Sequence, residues 1–535
     1  MKTRTIIACM LTLALMPLRL AAQEEIEFVK GGCTPDLPVQ GSESSNLESA
    51  SRRRLAAPQT TWDASKTYKQ LVILFTFSDL DFQEEHTRDF YDQILNKSGF
   101  ENDIAGNGCI ADYFKEQSNG LFNVQFDVVG PYQVSQKAQP YSAPDANTKN
   151  NATGAMREAT KKMMEANPNW NFAQYDWNKD GEVDQVIYIA AGYAGNQGQT
   201  KTVSSYGYIW PGTGTFNSID THDNVKICNY TSSAELWLNN TSCGIGTICH
   251  EYSHCLGLPD IYPTNAAISQ EIYSICDEWD LMDGGNFTGY GWCPPNYTAQ
   301  EKMYLGWLAP TELTEPTSIT GMKPVSEGGE IYIIYHTDNE YYLLENRQWT
   351  GWDAGLPGCG LLITHVDFSS KRWRENNVNN VKGHFSYDIV HADNLDYEQW
   401  NAIQPRSPRQ WTDPDKRLHN RHLSTSPYPW KDEQNSIVNR ELTDTSTPAA
   451  VMFNDNIEGL KLMGKAITNI QQADDGTISF DFMMESVDVK DVLTTEPNIV
   501  GWYDLNGQLL NAQPIQPGVY ITAYSDGTKK KTLLK

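Results

Sequence analysis

Positive charge is scarce in this sequence. Its 41 lysines and arginines face 67 aspartates and glutamates, for a formal net charge of −26. A nucleic-acid binder needs a basic face to displace counterions, so that class is excluded. Long apolar runs are nearly absent. Ile6 to Leu18 is apolar apart from Thr12, follows Lys2 and Arg4, and precedes the small residues Ala21 and Ala22. That run is too short to span a bilayer and has the layout of a cleaved secretory signal over residues 1–22. No later run matches it, so no transmembrane segment is expected, and the mature chain is expected to be secreted or at the cell surface. Cysteine is sparse: ten occur, and nine remain once Cys9 leaves with the signal. An odd number leaves at least one thiol without an intramolecular partner. Cys276 and Cys293 flank a turn and could pair. No long-period internal repeat is present, which excludes solenoids and propellers.

What is present is a globular composition, 39% hydrophobic and 11% aromatic, in a chain of 535 residues that is too long for one compact core. Residues 23–66 are polar, carry Arg52-Arg53-Arg54, and read as a pro-segment or linker. From residue 67 to 310 short apolar runs alternate with helical spacing. "LVILFTF" at Leu71 to Phe77, Phe122 to Val134, and "VDQVIYIAA" at Val183 to Ala191 predict strands; Thr87 to Leu95, Ile110 to Gln117 and Ala155 to Ala166 predict helices. Such alternation predicts an α/β (α+β) unit. Residues 311–486 read as β-rich, although 371–445 have too weak a periodicity to place. Residues 487–535 form a small β tail.

The chemistry concentrates in "GIGTICHEYSHCLGLPD" at residues 244–260. His250 and His254, four apart on a helix, present both imidazoles on one face where they can share an ion. Glu251 beside them can take a proton from metal-activated water, which is the arrangement of a zinc peptidase. The bland alternative is an amphipathic helix with two incidental histidines. The apolar flanks Ile245, Ile248 and Leu256 argue against it, because a buried helix has little other use for paired histidines. A catalytic zinc needs a third protein ligand. Asp260 is the first candidate, since Gly257 lets the chain leave the helix in a left-handed turn and swing back. Glu271 or Glu278 from a later segment would be the thermolysin-like alternative. Cys249 and Cys255 point to other sides of the helix and read as small buried residues.

The stretch "HEYSHCLGLPDIY" resembles the immune inhibitor A-like metallopeptidases, a secreted bacterial branch of the metzincin clan, with Asp in place of the third His of the commoner clan pattern. "WDLMDGG" at Trp279 to Gly285 resembles the clan's methionine turn, with Met282 as its methionine. "ADYFKEQSNGLFNVQFDVVGP" upstream and "LLENRQWTGWDAGLPGCGLLITHVD" downstream are similar to the same branch, so the resemblance covers Tyr68 to about Asn394. It implies a metzincin-like zinc peptidase domain, completed by the β-rich region and acting on protein or peptide substrates. A surface adhesin that has lost turnover and a zinc amidase acting on cell-wall peptide are the rival classes. Intact Glu251 argues against the first, and the lack of a wall-binding repeat against the second.

Three further features remain. "DWNKDGEVD" places oxygens at Asp176, Asn178, Asp180 and Asp184 around Gly181, as in the first half of a calcium loop. Ile187 stands where an EF-hand needs Glu, so the reading is a calcium-pinned turn or an acidic turn without an ion. Cys33 in "GGCTPD" resembles the thiol switch of matrixin pro-segments with a shortened spacing, which implies latency as a zymogen. The C-terminal "NIVGWYDLNGQLLNAQPIQPGVYITAYSDGTKKKTLLK" resembles the sorting modules of Bacteroidetes type IX secretion cargo, which implies recognition by secretion machinery.

Overall fold

The structure, a computed structural model, describes residues 62–534 apart from 102–107, 139–147, 196–206, 238–239, 270–271, 273, 396–418, 420, 433–435, 457–458, 485–498, 505–506, 511 and 525–528. The leader, Cys33, the triple arginine and Glu271 lie outside the described residues. Among the described residues no helix is long and apolar enough to cross a membrane.

A run of five fully buried residues, Leu71 to Phe75, fixes the centre of the fold. Such a run suits a strand covered on both faces. It lies in β1 (Thr67–Thr76), which pairs in parallel with β2 (Asn123–Gln133) and β3 (Val186–Ala194). β3 also pairs in parallel with β4 (Gly207–Ile209) and, on the path that continues the sheet, with β6 (Lys226–Leu236). β5 (Gly212–Asp220) runs antiparallel to β6 and closes that edge, giving the order β2-β1-β3-β6-β5. Side chains alternate across the sheet with a period of two. Val72, Leu74, Ile187 and Ile189 join one apolar cluster with the helices Arg88–Asn96, Ile110–Gln117 and Gly246–Leu256. Leu71, Ile73, Phe75, Val186 and Tyr188 join another with the helix Thr148–Ala166. This is the α/β layering that the pattern predicts. The third strand starts at Val186 rather than Val183, because Asp184 is still closing the preceding turn by accepting the Trp177 N–H.

After Pro310 the chain builds antiparallel structure. β7 (Thr311–Glu312), β9 (Tyr332–Tyr335), β10 (Glu340–Arg347), β11 (Gly360–Asp367) and β12 (Tyr387–Ile389) form a five-stranded sheet, in which only the short β7 pairs in parallel. β8 (Thr317–Met322) pairs with β16 (Ile478–Phe482), which pairs with β15 (Ile467–Gln472). β13 (Trp430–Lys431) and β14 (Ile437–Asn439) make a short ladder. β17 (Ile499–Tyr503), β18 (Gly518–Tyr524) and β19 (Lys529–Leu534) make a separate sheet near the C-terminus.

All eight residues of β10 are buried, and they sort by face. Tyr341 and Leu343 pack into the cluster that holds the helix Gly246–Leu256, while Tyr342 and Leu344 pack against β15 and β16. One apolar core therefore runs from the first sheet into the β-rich region. At the end of β10 the fully buried Arg347 makes a bidentate pair with Asp353 (Nε to Oδ2 and Nη2 to Oδ1, both 2.7 Å) and donates to the Asn296 carbonyl at 3.1 Å. Planar fork geometry suits this kind of clamp.

One expectation is corrected. Cys276 and Cys293 are both free thiols, and the Cys293 Sγ–H donates to the Trp352 carbonyl instead.

Removing one partner of a buried ion pair strands the other without solvent. Asp353→Ala is expected to cost about 3–5 kcal/mol, read as a lowered urea midpoint at unchanged m-value; a loss under ~1 kcal/mol, the size of a surface pair, would show that the clamp is not holding β10.

Candidate metal centre

The helix Gly246–Leu256 is buried along nearly its whole length and ends where Gly257 takes φ 106°, with its N–H bonded to the His254 and Ser253 carbonyls. A left-handed residue costs glycine nothing, and here it turns the chain back beneath the helix as expected from the sequence. The turn brings Asp260 to the two histidines. Asp260 Oδ1 lies 3.3 Å from His250 Nε2 and 3.2 Å from His254 Nε2. Glu278, the alternative ligand, sits elsewhere, grouped with Asp277 and His419.

The hydrogen bonds settle which nitrogen of each ring is available. His250 Nδ1 contacts the Leu281 carbonyl at 2.7 Å, and His254 Nδ1 contacts the Leu258 carbonyl at 2.8 Å. A carbonyl can only accept, so each Nδ1 carries the hydrogen and each neutral ring keeps its lone pair on Nε2. His250 Nε2 and Asp260 Oδ1 are buried with no hydrogen-bond partner. Buried polar atoms are ordinarily satisfied, so this arrangement is costly unless something else sits among them. A tetrahedral zinc with bonds of about 2.0–2.1 Å has ligand–ligand edges of roughly 3.3 Å, and the observed separations fit that size. The donor set, two imidazoles and a carboxylate, fits zinc as well. Burial works against charge on both partners, yet the Asp260 carboxylate raises His254 to about 9 and the two histidines hold the Asp260 carboxyl well below its ordinary range. The same negative charge that holds a proton here would hold a cation.

Asp260 is itself gripped. Its backbone N–H donates to Asn376 Oδ1 at 2.6 Å, and Asn376 Nδ2 donates to Asp260 Oδ2 at 2.7 Å. One carboxylate oxygen is thereby occupied and Oδ1 is aimed at the histidines. Asn376 has φ 55°, a conformation asparagine tolerates. Sequence reading did not find it, because it lies in the stretch with no clear periodicity.

Met282 is fully buried in the same cluster, and its carbonyl accepts the Ile261 N–H at 2.9 Å. The preceding carbonyl, that of Leu281, is the one that orients His250. Tyr262 stacks on His250 with ring centroids 6.4 Å apart. Glu251 is 2% exposed; its Oε1 has no partner, and Oε2 accepts weakly from Thr213 Oγ1 at 3.3 Å on the edge strand β5. Burial raises the Glu251 carboxyl, against the opposing effect of His250 and His254. Cys249 is buried, and burial pushes its thiol far up; neither it nor Cys255 belongs to the converging set.

The acidic turn is different. Asp176 Oδ1 and Oδ2 accept the Asp180 and Gly181 N–H groups, and Asp180 Oδ1 accepts that of Glu182. Asn178 Oδ1 also bonds the Asp180 N–H. Asp184, raised to about 6 chiefly by burial, takes the Trp177 N–H. These oxygens serve the turn itself, and Asp176, Asp180 and Asp184 are not among the sets of described residues that converge as a metal site. The geometry gives calcium no support.

A partner that orients a metal ligand typically governs affinity by 10–100-fold. Asn376→Ala is therefore expected to weaken zinc binding by about that factor in a competitive chelator titration, with the fold retained by circular dichroism. Unchanged affinity would mean that Asp260 holds its own orientation.

Residues 57–307 match the model of the immune inhibitor A peptidase M6 catalytic domain. The chain is 25% identical over 278 residues to the pre-pro-metalloprotease PrtV of Vibrio cholerae, covering 45% of this chain and 30% of that protein. It is 25% identical over 273 residues to immune inhibitor A of Bacillus thuringiensis, covering 44% and 39%. It is 27% identical over 236 residues to a putative secreted metallopeptidase of Arthroderma benhamiae, covering 38% and 32%. The chain spans only about a third of the length of these relatives. The buried His250, Glu251, His254 and Asp260 all fall within the stretch that matches the immune inhibitor A peptidase M6 catalytic domain, and this similarity supports a metallopeptidase hydrolase.

Proposed function

We propose that the chain is a secreted zinc endopeptidase acting on extracellular protein, with His250, His254 and Asp260 as zinc ligands and Glu251 as general base. The observation that carries this reading is the convergence of buried ligand atoms without partners beside an equally unpartnered Glu251 Oε1. A zinc ion held by His250, His254 and Asp260 would supply Lewis acidity, polarising a carbonyl oxygen and making water acidic near neutral pH. The protein residues do the rest. The carbonyls of Leu281 and Leu258 fix the rings. Glu251 takes a proton from water as its oxygen attacks the peptide carbonyl, then gives that proton to the leaving nitrogen, so that water and one amide become one acid and one amine. Burial prepares Glu251 for both halves, because a carboxyl raised towards neutrality takes and returns a proton more readily than an exposed one. β5 is an antiparallel edge strand beside Glu251, and its free edge suits the backbone of an extended peptide. Met282 closes the floor of the site through its buried turn. The leader would export the chain, the pro-segment would delay activity, and the C-terminal tail would be read by secretion machinery.

Glu251→Gln is expected to lower casein hydrolysis by about 10²–10⁴-fold with zinc content by mass spectrometry unchanged. In the wild type, a raised Glu251 pKa means the base is protonated, and turnover lost, as pH falls through a value above that of an ordinary glutamate; the acid limb of kcat/KM should therefore lie above that value and vanish from the residual activity of Glu251→Gln. Near wild-type hydrolysis by the variant, or turnover of peptidoglycan but not casein, would overturn the assignment.

A further inference from the structure

The β-rich region holds histidines that this chemistry does not use. Just past β12, His391 is 3% exposed, and His422 at 5% lies in the short helical segment that follows residue 418. Asp393 lies between them. One ligand atom from each of His391, Asp393 and His422 falls within 4.8 Å of the other two. The imidazole centroids are 4.7 Å apart.

The local bonds again identify the available nitrogen. Ser426 Oγ donates to the His422 carbonyl at 3.1 Å and lies 2.7 Å from His391 Nδ1, an arrangement that suits a hydrogen on Nδ1. That leaves the lone pair of His391 on Nε2, and Nε2 is buried with no hydrogen-bond partner. Asp393 is oriented by Thr425 Oγ1 at 2.7 Å and by the Leu395 N–H at 3.0 Å, with His422 Nδ1 3.1 Å from its Oδ2. Asp277 adds negative charge nearby, enough to act on His391 electrostatically. A buried imidazole whose Nε2 has no hydrogen-bond partner, grouped with a carboxylate and a second imidazole, repeats the logic of the site at His250.

We propose that His391, Asp393 and His422 hold a second divalent cation, zinc by the nitrogen-rich character of the donors, with a structural role. Its setting assigns that role. All three residues are buried or nearly so. The helical turn carrying His422 also accepts the Trp279 indole N–H at the Leu423 carbonyl, 3.3 Å away. Trp279 begins the turn that carries Leu281 and Met282. A cation at His391 would therefore tie together two segments 29 residues apart and brace them against the floor of the proposed active site. A metal bound only by the folded state stabilises that state by mass action.

The test uses the full chain, stripped with chelator, reloaded with Zn²⁺, gel-filtered and assayed for zinc per chain by mass spectrometry. Wild type is expected to hold two zinc ions. The double variant His250→Ala/His254→Ala should keep one, and after cobalt loading should show the visible absorption of a Co²⁺ site with nitrogen ligands. His391→Ala/His422→Ala should also keep one and should melt at a lower temperature. If the His391 variant does not fold, the count on the His250 variant decides alone. Wild type holding a single zinc that the His250 variant loses would overturn this inference and leave the proposed active site standing; a single zinc that the His250 variant keeps would do the reverse. A second zinc that survives His391→Ala/His422→Ala would also overturn it, by placing the ion elsewhere.

Discussion

A handful of polar atoms buried without hydrogen bonds set the terms for the rest of this structure. His250 Nε2, Glu251 Oε1 and Asp260 Oδ1 sit together inside the protein with nothing to satisfy them. Such atoms cost about 1–3 kcal/mol each when they are left unpaired, so a fold that keeps them must hold them by other means. It does so by spending every neighbouring bond on orientation. Two backbone carbonyls take the Nδ1 hydrogens, Gly257 turns the chain, Asn376 occupies the far side of the carboxylate, and Thr213 steadies Glu251. None of these contacts reaches the atoms at the centre.

Local pattern carries the parts of this design that lie within one element. The helix, the two histidines one turn apart, and the glycine that ends it could be read because each depends on spacing within about a dozen residues. The central strands could be read because five apolar residues in a row leave few alternatives. Asn376 could not. It is 116 residues from Asp260, in a segment whose backbone is fixed by side-chain contacts rather than by periodicity. His391 and His422 escaped for the same reason. Proximity along the chain misled in the other direction at Cys276 and Cys293, whose short separation suggested a bond that the fold does not make. The acidic turn has the spacing of a calcium loop, yet its oxygens turn inward onto the backbone.

Beneath the histidines, the turn at Met282 is supported by carboxyls that burial has altered. Asp280 Oδ1 accepts the Met282 N–H at 2.7 Å, and burial raises Asp280 to about 6. Glu301 is pushed far above its ordinary range by burial and then by Asp280 itself. Its other oxygen accepts the Thr298 N–H in a capping box at the start of the helix Ala299–Tyr304. The two carboxyls thus take separate tasks, Asp280 holding the Met282 turn and Glu301 capping the helix. The Leu281 carbonyl that orients His250 sits on this support, so the ring's position depends on charge bookkeeping one layer down.

Support for the site extends past the matched region. The family match stops at residue 307, yet Asn376, which orients Asp260, lies well beyond it. So does Arg347, whose guanidinium holds the Asn296 carbonyl just before the capped helix. Leu343, Leu362 and Val366 belong to the same apolar cluster as Ile248 and Met282. Cutting the chain after the matched region would leave Asp260 free to rotate, expose one side of that cluster to water, and remove the clamp behind the turn. The boundary at residue 307 is therefore one of sequence similarity, while the contacts that hold the site extend through β10, β11 and Asn376.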